Sequence, residues 1–296
     1  MNRNRFARQI LMFGEEGQNK IEAQRVAVGG AGGLGSQICQ ALAYTGVRDI
    51  GVIDDDRLDE TNMNRVAGAF PSDIGRLKVE VAKEHILKIN PDANVTAIPR
   101  NLRTREAMEF MLGRTHIFGA VDHDGPRLVL TELSSAYRIT LIDVATEIFP
   151  EAKGQPFDFG GRVVVARPGD YCLFCADQLD RELAKEELEM PEVRVARRKH
   201  GYGLGSELPA PSVFALNGIL ANAAVTEFIV MTTGIREPAR RLTYKGMRGL
   251  MTSSDDKRKP DCYTCASCGQ RERANIWRYL LPEGDERLAA EKRAAV

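Results

Sequence analysis

The hexapeptide Gly30-Ala31-Gly32-Gly33-Leu34-Gly35 separates a short apolar run, Val26-Ala27-Val28, from the helix-patterned stretch Ser36 to Tyr44. Glycines at 30, 32, 33 and 35 permit a tight strand-to-helix turn and a close approach of phosphate to backbone N–H groups at a helix start. Alone the loop does not choose its ligand, since dinucleotide-binding domains carry nearly the same signature.

The segments beyond the loop set the fold class. Ile50 to Ile53 reads as a second buried strand ending at Asp54, and Leu77 to Ile89 as a helix stopped by Asn90-Pro91. Val95 to Ile98, Ile117 to Val121 and Leu141 to Val144 are further strands, with a helix at Arg127 to Tyr137. This alternation predicts an α/β fold, a Rossmann-like and mostly parallel sheet with helices on both faces. From Gly160 the crossovers cease. Arg162 to Ala166 and Leu242 to Tyr244, with another strand after it, are expected as antiparallel edge strands. We expect one domain over residues 1–282, with a nucleotide-binding half (1–160), a second half (161–282), and a flexible tail at 283–296.

The 41 basic side chains balance 41 acidic ones, which gives no electrostatic case for nucleic acid or an anionic membrane as bulk partner. Met1 to Arg5 is polar with no apolar run after it, so a cytoplasmic location is expected. Val213 to Met231 is apolar but carries Asn217, Asn222 and Glu227, and reads as a buried helix rather than a membrane span.

The charges beyond the loop narrow the ligand. Asp54, in Asp54-Asp55-Asp56, ends a strand where a carboxylate can accept from ribose hydroxyls; a solvated turn is the alternative. Asn62-Met63-Asn64-Arg65 and Ile74 to Lys78 place an amide and cations where a nicotinamide enzyme usually has none. Arg65 and Lys78 suit the neutralisation of a triphosphate and its pyrophosphate leaving group, unless they are plain surface cations. Asp122, after the strand Ile117 to Val121, is a candidate Mg²⁺ ligand, and His123 and Asp124 are read as loop residues.

Six cysteines are unevenly spread. Cys39 stands alone and is expected in the core; Cys172 and Cys175 form one C-x-x-C; Cys262, Cys265 and Cys268 form two overlapping ones. Paired knuckles of this kind point to structural zinc, expected to pin the C-terminal segment onto the sheet edge. Since four ligands suffice, the second pair is either Cys262/Cys265 or Cys265/Cys268.

Taken in order, Arg5-Phe6-Ala7-Arg8-Gln9-Ile10, the glycine loop, Asp54-Asp55-Asp56, Asn62 to Arg65, Ile74 to Lys78, Asp122 with Arg127, and the C-x-x-C pairs resemble the ubiquitin-activating enzyme superfamily, in its ThiF/MoeB/HesA-type adenylyltransferases. The resemblance runs to about Gly269. It implies that Gly30, Gly32, Gly33 and Gly35 form the phosphate loop, with Gly32 and Gly33 under the phosphates. It implies further that Asp54 binds ribose with Asp56 beside it, that Asn62, Arg65 and Lys78 contact ATP, and that Asp122 holds Mg²⁺. Arg8 is similar to an arginine that reaches the partner subunit's site, which implies a homodimer; Arg8, Arg65, Lys78 and Asp122 would be the catalytic set. Cys172, Cys175, Cys262 and Cys265 match the family's zinc pairs, through Pro260-x-Cys262-x-x-Cys265 for the second. The implied activity is ATP-dependent adenylation of the C-terminal glycine carboxylate of a ubiquitin-like or sulfur-carrier protein.

One departure concerns covalent catalysis. Relatives that form a thioester or persulfide carry a cysteine between the first zinc pair and the helix at Pro211, and Asp177 to Pro211 contains none. The expected enzyme stops at the acyl-adenylate and hands it to a separate thiol-bearing protein; Ser206 and a free Cys268 are weaker candidate nucleophiles. The basic cluster Arg194, Arg197, Arg198, Lys199 and His200 is a solvated face or a guide for the partner's tail. Phe214 and Phe228 are read as core or dimer-interface residues. The alternatives are adenylation of a short peptide or of a tRNA-base carboxylate, and, in another class, a nucleotide-binding scaffold without turnover.

Overall fold

The computed structural model describes residues 3–149, 157–189 and 211–281. Within them the chain forms an eight-stranded sheet of order β3-β2-β1-β4-β5-β6-β7-β8. β1 (Arg25–Gly29), β2 (Asp49–Ile53), β3 (Asn94–Ile98), β4 (His116–Gly119) and β5 (Thr140–Phe149) are parallel. β6 (Asp158–Ala166), β7 (Arg241–Lys245) and β8 (Leu250–Ser253) add antiparallel. The expected fold class is borne out. The sheet also runs unbroken across residue 160, because β5 pairs with β6 along its length.

Side chains alternate between two cores, as the period of a strand requires. Val26 and Val28 face one core, with Ile21 of α1 (Ala7–Glu22), Ile38 and Leu42 of α2 (Gly33–Thr45), and Ile86 of α3 (Lys78–Ile89). Ala27 faces the other, with Met108 of α4 (Arg105–Leu112) and Leu130 of α5 (Asp124–Tyr137). A short helix, α6 (Arg181–Leu188), comes after β6. The long apolar helix α7 (Phe214–Thr233) buries Leu216, Leu220, Ala221 and Phe228 in the first core. Its hydrophobicity is therefore used in packing, as expected. Cys39 is a core residue too, and so is Phe228, whereas Phe214 is 47% exposed.

Strand order places β1 between β2 and β4, so the crossovers leave β1 in opposite directions and open a crevice at the strands' carboxyl ends. Gly29 is in register with both Ile53 and Gly119, so the three strands end level. The glycine loop starts there. Gly30 has φ +93°, and a Cβ on it would lie 2.4 Å from Ala120 O. Gly35 is closer still, since its Cβ would lie 1.8 Å from Gly30 O.

Gly35→Ala forces backbone apart and should cost more than about 3 kcal/mol in urea unfolding. Gly32→Ala, with no atom within 4 Å of the added carbon, should cost less than about 1 kcal/mol. Equal losses would refute the close-packing role of Gly35.

His116 on β4 meets Phe228 edge-on, centroids 5.0 Å apart, and burial lowers its pKa from 6.5 to about 4. The unfolded chain thus takes up the proton first. Stability from this site is complete above pH 6.5 and falls as pH drops through 4. His116→Gln should flatten that acid limb in unfolding curves taken across the window.

Candidate functional site

A cleft of about 1180 Å³ opens at the carboxyl ends of the parallel strands. Its lining includes Gly30, Gly32, Gly33, Asp54, Asp56, Asn62, Arg65, Lys78 and Asp122. Two of the residues proposed from sequence lie elsewhere. Gly35 packs beneath the loop against Gly30, and Arg8 is exposed on α1, outside the lining of its own chain's cleft.

Asp54 first serves the loop itself. Its Oδ2 accepts from Ala31 N at 2.6 Å and its Oδ1 from Asp56 N at 2.8 Å, so the carboxylate fixes the glycine turn to the end of β2. Burial pushes its pKa up to about 6, against the pull of Lys78. Lys78 begins α3 and donates from Nζ to Asp56 Oδ2 at 2.8 Å. Burial opposes its charge, but Asp54 and Asp56 outweigh that and raise its pKa. A half-sequestered ammonium facing a cleft stays cationic because two carboxylates sit behind it.

Asn62 is buried at the end of a 3₁₀ turn, and its side-chain amide and backbone N–H both donate to Asp59, which caps the turn. Arg65 donates to Thr61 O and to Asn64 Oδ1 at 3.1 Å, which holds its stem across the loop. Asp122 lies three residues beyond the end of β4, which stops at Gly119 rather than Val121, and its carboxylate is 83% exposed. His123 Nε2 lies 3.7 Å away, an ion pair only when the imidazole is protonated, so the exposed oxygens can take a hydrated cation.

Asp124 corrects the expectation of a free loop residue. It opens α5, accepts from Arg127 Nη1 at 3.2 Å and from Asp180 N at 3.0 Å, and so joins α5 to the segment ahead of α6. Glu187 of α6 makes a second tie. It accepts from Gly125 N at 2.6 Å and from His123 Nδ1 at 3.3 Å, a hydrogen bond that raises the His123 pKa. Below these lies Asp143, fully buried, between Arg127 Nε at 3.4 Å and Arg162 Nη2 at 3.6 Å. Arg127 Nη2 also donates to Val121 O at 2.7 Å, so the buried ions position the loop that carries Asp122. Sequence reasoning misses Asp143, Arg162 and Glu187. The one signal is an arginine opening the run Arg162-Val163-Val164-Val165.

Cys172, Cys175, Cys262 and Cys265 converge, buried, with Sγ separations of 3.8 Å (172–175), 3.5 Å (172–262) and 3.7 Å (175–265). A tetrahedral zinc with Zn–S near 2.3 Å demands S···S of about 3.8 Å, so the four thiols fit the ion. A hydrogen bond from Cys265 lowers the Cys172 pKa to about 6, while Cys265, as the donor, and the buried Cys262 are raised. Cys268 lies outside the cluster. The segment so pinned rests on α5, where Ser135 Oγ donates to Thr264 O at 2.6 Å and Gly269 N to Ser135 O at 3.0 Å. That is a face of the sheet rather than the expected edge, which β8 occupies. Ser206, the basic cluster at 194–200 and the tail lie outside the described residues.

The fold is similar to that of E. coli MccB crystallised with ATP, at a TM-score of 0.68 and 20% identity over 90% of this chain and 75% of that one. Among curated proteins, the SAMP-activating enzyme E1 of Haloferax volcanii is 26% identical over 268 residues, 90% of each chain. The adenylyltransferase and sulfurtransferase UBA4 of Saccharomyces cerevisiae is 33% identical over 144 residues, 48% of this chain and 33% of that protein. The chain therefore matches about a third of UBA4's length. The model of the ThiF family matches residues 6–264, and the chain belongs to that family.

Proposed function

We propose that this protein uses ATP to adenylate the C-terminal glycine carboxylate of a ubiquitin-like or sulfur-carrier protein. The observation that carries the reading is the convergence of Asn62, Arg65, Lys78 and Asp122 on one cleft with the glycine loop. The names of the aligned relatives, an adenylyltransferase and a SAMP-activating enzyme, support the same reaction.

A carboxylate oxygen of the partner attacks the α-phosphorus of ATP. The bond from that phosphorus to the bridging oxygen breaks, leaving an acyl-adenylate and pyrophosphate. No proton need move, so positioning and charge neutralisation carry the rate. Lys78 and Arg65 face the departing pyrophosphate, and Lys78 keeps its charge through Asp54 and Asp56. Asp122 would hold Mg²⁺, which when bound would neutralise phosphate oxygens. Arg8 acts in a second copy's cleft within a homodimer. It is exposed on α1 beside Leu11 and Met12, 87% and 63% exposed, an apolar pair that a second copy would cover. With no cysteine in Asp177 to Pro211, the acyl-adenylate passes to a separate thiol-bearing protein in the cytoplasm.

Isotope exchange between pyrophosphate and ATP tests this with candidate proteins ending in Gly-Gly. Exchange should require such a partner and vanish in Asp122→Ala and in Arg8→Ala. Mixing those two inactive variants should restore about a quarter of wild-type exchange, because half the dimers are then mixed and each has one intact site. Exchange with a free peptide alone would transfer the reading to a peptide substrate, and no recovery on mixing would remove the trans role of Arg8.

Elemental analysis should find about one zinc per chain. Cys262→Ser should lose the metal and unfold more readily, while Cys268→Ser keeps it. A stable wild-type protein without zinc would overturn the assignment.

A further inference from the structure

Helix α7 lends the cleft one polar side chain whose only mark in the sequence is that it interrupts an apolar run. Asn217 lies in the first turn of α7 and is 1% exposed, yet it lines the cleft. Its Nδ2 donates to Ser212 Oγ at 3.0 Å, and Oδ1 is buried without a hydrogen-bond partner among the described residues. Leaving half of an amide unpaired in a core helix costs free energy that a leucine would avoid.

The neighbours of this amide identify what its nitrogen would meet. A Cβ on Gly33 would lie 2.2 Å from Asn217 Nδ2 and 3.3 Å from Arg65 Cδ. Gly33 is the first residue of α2, where free N–H groups and the helix dipole favour an anion. Asn217, the α2 N-terminus and the Arg65 stem therefore meet at one point of the cleft wall. The hydroxyl of Ser212 can donate as well as accept. Ser212 takes one Nδ2 proton, and Nδ2, beside Gly33, has a second to offer an oxygen in the cleft.

We propose that Asn217 is a ligand of the ATP polyphosphate, set by Ser212 and admitted by the missing side chain of Gly33. The proposal rests on the ATP reading above, and it adds a phosphate contact from the second half of the chain. A role in packing alone would give the opposite pattern of effects, since the half-paired amide is a liability to the fold and an asset only to the ligand.

Calorimetric titration of the full-length protein with ATP and with adenosine, in the presence of Mg²⁺, separates the two. Asn217→Ala should weaken ATP about tenfold, the worth of one hydrogen bond to a charged group, and leave adenosine unchanged. Asn217→Leu should weaken ATP similarly while its thermal midpoint equals or exceeds that of wild type. ATP affinity within twofold of wild type in both variants would overturn the proposal, and so would a parallel loss of adenosine binding. A wild-type protein that binds no ATP would instead remove the adenylation reading, and this proposal with it.

Discussion

The approach of Gly35 to the carbonyl of Gly30 is the constraint on which the rest of the structure depends. It brings the start of α2 against the end of β1 with no room for a side chain. Gly30 N donates to Ile53 O, Ala120 N to Gly29 O, and Ala31 N to Asp54, so the ends of β1, β2 and β4 are knotted around one turn. Several groups that face the cleft hang from that knot. Asp54 leads directly to Asp56 and Lys78; Ala120 leads to Asp122; Gly33 faces Asn217 and Arg65.

Around this rigid turn the charges are arranged in layers. Lys78 and Arg65 face the cleft, with carboxylates or carbonyl oxygens behind them that keep the cations in place. Deeper, Asp143 is shared by Arg127 and Arg162 as ion pairs, with no hydrogen bond to either carboxylate oxygen among the described residues. A buried ionic group of this kind is costly and gives little net stability. Its return is positional, since Arg127 grips the carbonyl of Val121 and the helix start at Asp124, while Arg162 reaches Gln178 O at 3.2 Å just past the cysteine knuckle. The Asp122 loop and the segment leading to α6 are thus set from one buried anion.

The sequence makes visible those parts whose cause is local. The glycine turn, the apolar runs of β1 and β2, the stop at Asn90-Pro91 and the C-x-x-C spacing each arise from a few neighbouring residues. Helix α1 does not show, because it buries Gln18 and Glu22 as well as Ile21 and bends at Gly14, where φ is +74°. Helix α4 is too short to stand out, at eight residues, though Thr104 caps it. The Asp143 network leaves no mark in the sequence beyond the arginine that opens the run at Val163. Its members come from α5, β5 and β6, and only the strand pairing brings them together. The same holds for Asn217, whose meaning depends on an absent side chain at Gly33, far away in the chain.

The thiols set a limit on the proposed chemistry that the fold makes physical. Four of the six are committed to the buried cluster, where their work is to hold the C-terminal segment on α5. Cys39 is 1% exposed within α2, and burial pushes its pKa up to about 12, so it is neither reachable nor a thiolate near neutral pH. Cys268 sits beside the knuckle, against Gly169, and does not line the cleft. No cysteine among the described residues therefore lines the cleft in which an acyl-adenylate would form, and residues 177–211 supply none in sequence. If the cleft adenylates a carboxylate as proposed, charge and position carry that step, and the thiol proposed to receive the acyl group is supplied by another molecule.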